Sequence, residues 1–122
     1  MLKDALYKII SIAHGENTIE AILEINKNNE IFTGHFPGQP VFPGACTLQI
    51  LKEVLESSLN KTIRLIRADQ IKFLALIEPG KSNILQFKLS YKLTDNNNIA
   101  VHANLTAKNE VCFKFKGLFI AL

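Results

Sequence analysis

Residues 34–44 read Gly-His-Phe-Pro-Gly-Gln-Pro-Val-Phe-Pro-Gly, and residues 45–59 continue as Ala-Cys-Thr-Leu-Gln-Ile-Leu-Lys-Glu-Val-Leu-Glu-Ser-Ser-Leu. Three prolines and three glycines in the first stretch exclude regular secondary structure there. They also stiffen the loop, because each proline fixes its own φ and restricts the residue before it. The second stretch predicts a helix from Ala45 to about Leu59. Its apolar residues wrap most of the circumference, so we expect much of this helix to be buried.

Alternation of apolar and polar residues indicates strands on both sides of the helix. The alternation is clear over 19–25, 85–93, 99–107 and 111–116, and weaker over 6–13 and 63–77. Gly117 is expected to mark a bulge, and the asparagine run at 96–98 a hairpin turn. Strands with one dry and one wetter face are typical of an antiparallel sheet. We therefore predict an α+β chain with the hot-dog fold, in which a curved antiparallel sheet of about six strands wraps around one central helix.

Composition narrows the class of protein. The chain has 122 residues, of which 48% are hydrophobic, and this suits a single domain over residues 1–122. A net charge of +3 is too weak a bias to indicate nucleic acid, although it suits an acidic partner. The longest apolar run, 73–77, falls far short of the roughly 20 residues that a membrane span needs.

The expected compartment follows from the N-terminus and the cysteines. The start of the chain lacks the apolar stretch of a signal peptide. Cys46 and Cys112 are far apart in the sequence and lie in apolar stretches. We interpret them as small core residues in a reducing compartment, and we expect a cytoplasmic protein. Cys46 as a nucleophile activated by the helix N-terminus is the minor alternative.

The junction between the stiff loop and the helix is the candidate site. The first N–H groups of the helix, near Gly44 and Ala45, lack helical partners and lie at the positive end of the helix dipole. They could bind a carbonyl oxygen that gains negative charge. His35 is the candidate base, since histidine suits proton transfer near neutral pH. The apolar loop residues are candidates for lining a substrate channel, although core packing alone would also explain them: Phe36, Val41 and Phe42.

The loop resembles the signature H-F-P-G-x-P-V-x-P-G of the 3-hydroxyacyl-ACP dehydratase family. All seven specified residues after His35 match. Lys72-Phe73 followed by Pro79-Gly80 is similar to the family's R-F-x-x-P-V-x-P-G stretch. The resemblance implies that His35 removes the α-proton of a 3-hydroxyacyl thioester and that the backbone near Gly44 polarises the thioester carbonyl. It also implies an acid fourteen positions after the histidine, which protonates the departing hydroxyl.

The resemblance also sets expectations about assembly and substrate. It implies a homodimer in which the active site is shared across the interface, with a higher oligomer or a heterodimer with an active hot-dog subunit left open. The substrate would be an acyl group carried on the phosphopantetheine of acyl carrier protein or coenzyme A. No cofactor is expected, because the thioester already acidifies the α-proton.

The chain departs from the family at the acid. Position 49 is Gln49, and an amide has no proton to give at neutral pH. The family usually carries a glutamine four residues later, where this chain has Glu53. Helical spacing puts Gln49 and Glu53 on one face, ~6 Å apart along the axis. Our hypothesis is that Glu53, or a water between Gln49 and Glu53, supplies the proton. The alternative is that Glu53 is an ordinary solvated or ion-paired residue.

Three functions remain open. The first is a lyase that dehydrates (3R)-3-hydroxyacyl-ACP to the trans-2-enoyl product, in fatty-acid or specialised lipid or polyene biosynthesis. The second is a hot-dog subunit that binds acyl-ACP without turnover. The third is a hot-dog thioesterase, which needs a positioned water.

The remaining polar residues carry weaker signals. His14 is expected in a surface turn and His102 on the wetter face of a strand, and the histidines lack metal-ligand spacing, so no metal site is predicted. A loose basic set follows the helix. It could steer an acidic carrier protein, or it could consist of ordinary solvated charges: Lys61, Arg64, Arg67 and Lys72.

Overall fold

The computed structural model describes residues 2–29 and 42–122. In chain order the elements are β1 (Tyr7–Gly15), β2 (Thr18–Ile25), α1 (Gly44–Leu59), β3 (Ile63–Phe73), β4 (Ile84–Leu93), β5 (Asn98–Ala107) and β6 (Glu110–Ala121). A 3₁₀ turn over Asp95–Asn97 joins β4 to β5. The predicted helix is confirmed, beginning one residue earlier than expected.

The strands form a six-stranded sheet in the order β1-β2-β4-β5-β6-β3, and every neighbouring pair is antiparallel. The prediction of an antiparallel sheet around one long helix is confirmed. β1 and β3 are the two edges of this sheet. An edge strand has a hydrogen-bonding partner on one side only, so these are the strands whose backbone can still pair with another chain.

The core lies between the sheet and α1. Alternate residues of the central strands are buried, as their period of two predicts. From the helix, the apolar residues that meet them are Ile50, Leu51, Val54 and Leu55. α1 ends at Asn60, which adopts the left-handed conformation with a φ of 54°. Asparagine tolerates this left-handed conformation, which ends the helix. The next strand, β3, begins at Ile63.

The strand predicted over 63–77 is shorter than expected. β3 ends at Phe73, which pairs with Phe113 of β6. Beyond it, the N–H groups of Leu74 and Ala75 both donate to the Cys112 carbonyl, at 2.8 and 3.4 Å. Because two donors share one acceptor, the regular hydrogen bonding between β3 and β6 ends here. Residues 74–77 therefore lie outside the sheet, although the apolar run continues through them.

Three smaller expectations need correction. His14 lies on β1, paired with Ile19, and not in a turn. Gly117 is not itself the bulge: the nearest shifts of register lie in β3, opposite it. A Cβ at Gly117 would approach the Arg67 carbonyl oxygen to 2.6 Å, so the glycine accommodates that irregular backbone. Leu93, the last apolar residue of the alternation predicted over 85–93, is exposed although that alternation predicts burial.

In the part of the chain that the structure describes, no helix has the length and apolar character that a membrane span requires.

Candidate functional site

The N-terminus of α1 begins without a capping side chain. Pro43 is the N-cap residue, and its carbonyl accepts from the N–H groups of Cys46 and Thr47 at 3.0 and 3.3 Å. Proline at this position has no side-chain oxygen to offer to the first turn. Within residues 2–29 and 42–122, the N–H groups of Gly44 and Ala45 have no backbone acceptor. These N–H groups lie at the positive end of the helix dipole, and their role as oxyanion donors stays a prediction.

The aromatic ring of Phe73 packs directly against Gly44. A Cβ added at Gly44 would lie 2.8 Å from Cζ and 2.9 Å from Cε1 of that ring. Real Cβ atoms do not approach so closely, so a side chain at residue 44 would require the half-exposed Phe73 ring to shift. The ring also packs on Phe113, with centroids 5.3 Å apart. Phe73 thus fixes the surroundings of the first helical N–H groups, a role that sequence reasoning did not assign to it.

An apolar cavity of about 370 Å³ lies beside this end of the helix. Phe42, which was predicted to line an acyl channel, contributes to its wall and is buried. Gly44 and Thr47 form the helical side of the cavity. The opposite side comes from the segment after β3 and from β6: Phe73, Ala75, Leu76, Ile77 and Cys112. The space and lining suit a short stretch of acyl chain.

Gln49 and Glu53 form a direct hydrogen bond. Nε2 of Gln49 donates to Oε2 of Glu53 at 2.9 Å. Gln49 is half-buried, whereas only 3% of Glu53 is exposed. The alternative that Glu53 is a solvated residue of the helix surface is therefore excluded. Because the two side chains are in contact, no water lies between the bonded atoms.

The Glu53 carboxylate accepts three further hydrogen bonds, all from the N-terminal segment. The backbone N–H groups of Leu2 and Lys3 donate to it at 2.8 and 3.1 Å. The Tyr7 hydroxyl donates to Oε1 at 3.0 Å. Tyr7 was missed by sequence reasoning, since nothing local marks a contact between residues 46 positions apart.

These contacts determine the protonation of the pair. Burial acts to raise the pKa of the Glu53 carboxyl, but the hydrogen bonds that it accepts outweigh burial, and the pKa lies below its ordinary value. Burial, followed by the bond to Glu53, raises the pKa of the Tyr7 hydroxyl. At neutral pH Glu53 is therefore an anion and Tyr7 a neutral donor. An ionised carboxylate has no proton to give.

The site residues occupy two different sides of α1. Positions 47 and 49 are roughly 200° apart around a helix. The cavity beside Thr47 and the amide of Gln49 therefore lie on different sides of α1. Ala45 is exposed one turn before Gln49, on the same side as that amide. The structure thus brings Phe42 and Gly44 together at the cavity, and Gln49 and Glu53 together elsewhere.

Three predicted site residues lie outside the described residues: His35, Phe36 and Val41. Their assignment as base and channel residues stays a prediction.

The other candidates have ordinary surroundings. Cys46 is half-buried, and burial raises the pKa of its thiol, which opposes a nucleophilic role. His14 and His102 are exposed. Among the described residues there is no cluster of side chains suited to a metal ion. All four members of the basic set are exposed, and the guanidinium of Arg67 is paired with Asp69 at 2.7 Å.

Comparisons with known proteins show the family of this chain. The model of the ApeI-like family, described as ApeI dehydratase, matches residues 11–116. The chain is 30% identical over 120 residues to the 3-hydroxyacyl-[acyl-carrier-protein] dehydratase FabZ of Oenococcus oeni, covering 93% of this chain and 84% of the relative. A second match, the FabZ of Wolbachia pipientis, is 35% identical over 79 residues. It covers 57% of this chain and about half, 53%, of that relative's length.

Solved structures share the fold. The dehydratase heterocomplex ApeI:P from Xenorhabdus doucetiae superposes with a TM-score of 0.67 at 17% identity, covering 92% of this chain and 96% of that one. A thioesterase from Haemophilus influenzae gives 0.65 at 16% identity, covering 95% and 78%. At such low identity these two similarities concern the fold alone, and the predicted hot-dog architecture is confirmed.

Proposed function

This chain belongs to the ApeI-like dehydratase family, and we propose that it is a lyase that dehydrates (3R)-3-hydroxyacyl thioesters to the trans-2-enoyl product. The observation that carries the proposal is the family match over residues 11–116. That range includes both the loop that contains His35 and the helix that carries Gln49. The proposed pathway is fatty-acid biosynthesis or a specialised lipid pathway.

In the proposed reaction the helix N-terminus stabilises the developing charge. The N–H groups of Gly44 and Ala45 receive the thioester carbonyl oxygen, which becomes more negative as the α-proton leaves. His35 takes that proton. The electron pair of the broken C–H bond forms the double bond, and the C–O bond at the β-carbon breaks. No cofactor takes part, because the thioester itself acidifies the α-carbon.

The departing hydroxyl needs a proton, and Glu53 does not carry one at neutral pH. Gln49 is half-buried and its amide carbonyl can accept a hydrogen bond from the substrate hydroxyl or from a water. We therefore assign the proton to a water on Gln49. The proton that His35 removes then replaces the one that this water has given, so that one molecule of water leaves for each double bond formed.

The apolar cavity is proposed as the acyl pocket. It adjoins Gly44, and Phe42 contributes to its wall. An acyl chain in this cavity would bring its thioester carbonyl to the free N–H groups at the helix start. Burial of an apolar chain there contributes roughly 0.8 kcal/mol for each methylene group.

A dimer would complete the site, because the Gln49 side of α1 is separate from the cavity. The edge strand β3 can pair with a second chain. Large apolar side chains are exposed near its end: Ile71, Phe73, Leu74 and Leu76. We propose a homodimer or a heterodimer with another hot-dog subunit, in which the active site is shared across the interface. The carrier would be acyl carrier protein or coenzyme A, and the exposed lysines and arginines after α1 would attract the acidic carrier protein.

A binding subunit without turnover is the second candidate function. The observation that favours it is the pairing of an amide with an ionised carboxylate at the place of the family's usual acid. Losing a general acid costs on the order of 10²–10⁴ in rate. A thioesterase is the third candidate function, since the hot-dog fold also occurs in a thioesterase.

The location that we propose is the cytoplasm. Two free cysteines agree with a reducing compartment.

One experiment tests these functions together. The purified protein is incubated with 3-hydroxyacyl and 2-enoyl thioesters, on both carrier protein and coenzyme A, and the products are identified by mass. Loss or gain of water supports the dehydratase, release of the free acid supports the thioesterase, and binding without conversion supports the binding subunit. His35→Ala is the control. If it converts substrate as fast as the unmodified protein, the proposed base is wrong.

A further inference from the structure

The buried carboxylate of Glu53 divides its two oxygen atoms between two kinds of donor. Oε1 accepts from the Lys3 N–H and the Tyr7 hydroxyl. Oε2 accepts from the Leu2 N–H and from Nε2 of Gln49. Three of the four donors thus belong to the N-terminal segment, and the fourth belongs to the site.

The N-terminal segment that supplies these donors is itself fixed. The Asp4 N–H donates to the Tyr7 carbonyl at 2.7 Å and the Leu6 N–H donates to the Leu2 carbonyl at 2.8 Å, so residues 2–7 form a closed turn. On its other side, the Ala5 carbonyl accepts from the amide groups of Asn26 and Asn29 at 3.1 and 2.9 Å. The segment that binds Glu53 is therefore itself held by hydrogen bonds within residues 2–7 and to the end of β2 and the turn after it.

A fixed Glu53 limits what the Gln49 amide can do. An amide is planar, with nitrogen and oxygen on opposite branches of one carbon. When the nitrogen is bound to the carboxylate, the oxygen is the group left to accept from a second partner. The negative charge of Glu53 also polarises the amide and makes that oxygen a stronger acceptor.

We propose that Glu53 is a positioning residue, which orients the Gln49 amide so that its carbonyl oxygen accepts from the substrate hydroxyl or its water. The proposal rests on the dehydratase function and adds a role for the N-terminal segment, which immobilises Glu53. It also explains why amide and carboxylate are exchanged together relative to the family pattern. With glutamine at position 49 and glutamate at position 53, or the reverse, one hydrogen bond from an amide to a carboxylate joins the two positions.

The test compares two glutamates of the same helix. Glu53→Met removes the acceptor of Gln49. Glu56→Met is the matched control, because among the described residues the Glu56 carboxylate accepts one hydrogen bond, from the Ile63 backbone N–H at 3.0 Å. We expect Glu53→Met to lower kcat tenfold or more with little change in KM, since misplacement of a catalytic group by about 1 Å can cost 10²-fold. Equal effects of the two substitutions on kcat would refute positioning.

A restoring variant guards against misfolding of Glu53→Met. In the double variant Gln49→Glu/Glu53→Gln the bond between the positions is restored with its direction reversed. We expect its kcat to reach at least that of the unmodified protein. A kcat as low as that of Glu53→Met would contradict the proposal.

A readout without turnover separates this inference from the proposed function. In ¹⁵N-labelled protein, the side-chain amide of Gln49 should show one proton shifted downfield by the carboxylate, and the shift should be lost in Glu53→Met but kept in Glu56→Met. If the shift is present and the unmodified protein does not dehydrate any substrate, the proposed function fails while the orientation of Gln49 stands. If the shift is absent from the unmodified protein, the positioning role is wrong.

Discussion

The two sides of α1 that bear the candidate site differ in what surrounds them. The side with Gly44 and Thr47 borders an apolar cavity, where the contacts are van der Waals contacts without preferred direction. The side with Gln49 and Glu53 carries a chain of directed hydrogen bonds that reaches the N-terminal segment. Contacts on the first side leave the orientation of an apolar group free, whereas the second side is suited to hold one polar group in one orientation.

The largest effect that this comparison predicts is on stability. Glu53→Ala would leave the Tyr7 hydroxyl and two backbone N–H groups without their acceptor. Unsatisfied polar groups of this kind should lower the free energy of unfolding by about 3 kcal/mol. Urea unfolding measures the effect, with Glu56→Ala as control because it removes a single bond. Equal losses in the two variants would show that the hydrogen bonds to Glu53 add no more stability than the single bond to Glu56.

The fold could be predicted from the sequence because its signals are local. Leu85, Phe87 and Leu89 alternate with polar residues, and all three are buried. The end of β3 could not be predicted, since the apolar run continues through Leu74 and Leu76. Only the carbonyl of Cys112, a residue of another strand, terminates the ladder.

The site was predictable in part for the same reason. The absence of a helical acceptor for the N–H groups of Gly44 and Ala45 follows from their position at the helix start, and the contact of Gln49 with Glu53 follows from a spacing of four. The three donors to Glu53 from the N-terminal segment lie 46 to 51 residues away, so no sequence pattern indicates them. Burial of a glutamate among them is a consequence of tertiary structure, and it changes the role that Glu53 can have.

The apolar side should respond to a change of volume. Gly44→Ala places a methyl group at 2.8 Å from the Phe73 ring, which must move. We expect a loss of about 2 kcal/mol in the free energy of unfolding, typical of overpacking, together with reduced turnover. Unfolding and turnover are measured for Gly44→Ala and for Gly44→Ala/Phe73→Leu. Because leucine lacks the ring, the second substitution should recover most of the lost stability. Failure to recover would mean that the ring is not what requires glycine.

On the side of α1 with Gln49 and Glu53, an added carboxyl should make stability depend on pH. Gln49→Glu places a second carboxyl within hydrogen-bonding distance of Glu53, with the Tyr7 hydroxyl facing the pair from β1 and Asp4 nearby in the N-terminal turn. Two such carboxylates cannot both ionise at low cost, so one pKa of the pair rises above its unfolded value. A raised pKa of an acid leaves stability intact below the unfolded pKa. Stability then falls as the pH rises from the unfolded pKa to the folded pKa, by about 1.4 kcal/mol for each pH unit that separates the two.

Unfolding of Gln49→Glu is therefore measured between about pH 4 and pH 8, beside the double variant Gln49→Glu/Glu53→Gln. The double variant has one carboxyl at the pair and should lack the additional pH dependence. Parallel curves for the two variants would show that the positions 49 and 53 do not interact in the folded protein.

The smallest predicted effect isolates one bond of the network. Tyr7→Phe removes the hydroxyl that donates to Oε1 of Glu53 and keeps the buried ring. The Leu2, Lys3 and Gln49 donors remain, so the carboxylate stays ionised and the loss should be about 1 kcal/mol in the free energy of unfolding.

The pKa of Glu53 is lowered in part by the hydrogen bond from Tyr7, so removal of the hydroxyl moves that pKa upward. Stability from Glu53 is present above the unfolded pKa of the carboxyl and disappears as the pH falls through the folded pKa. In Tyr7→Phe this acid loss should therefore be smaller and should end at a higher pH, which urea unfolding at a series of acidic pH values detects. If the free energy of unfolding depends on acidic pH in the same way in both proteins, Tyr7 does not help to keep Glu53 charged. The backbone donors and Gln49 then do so alone.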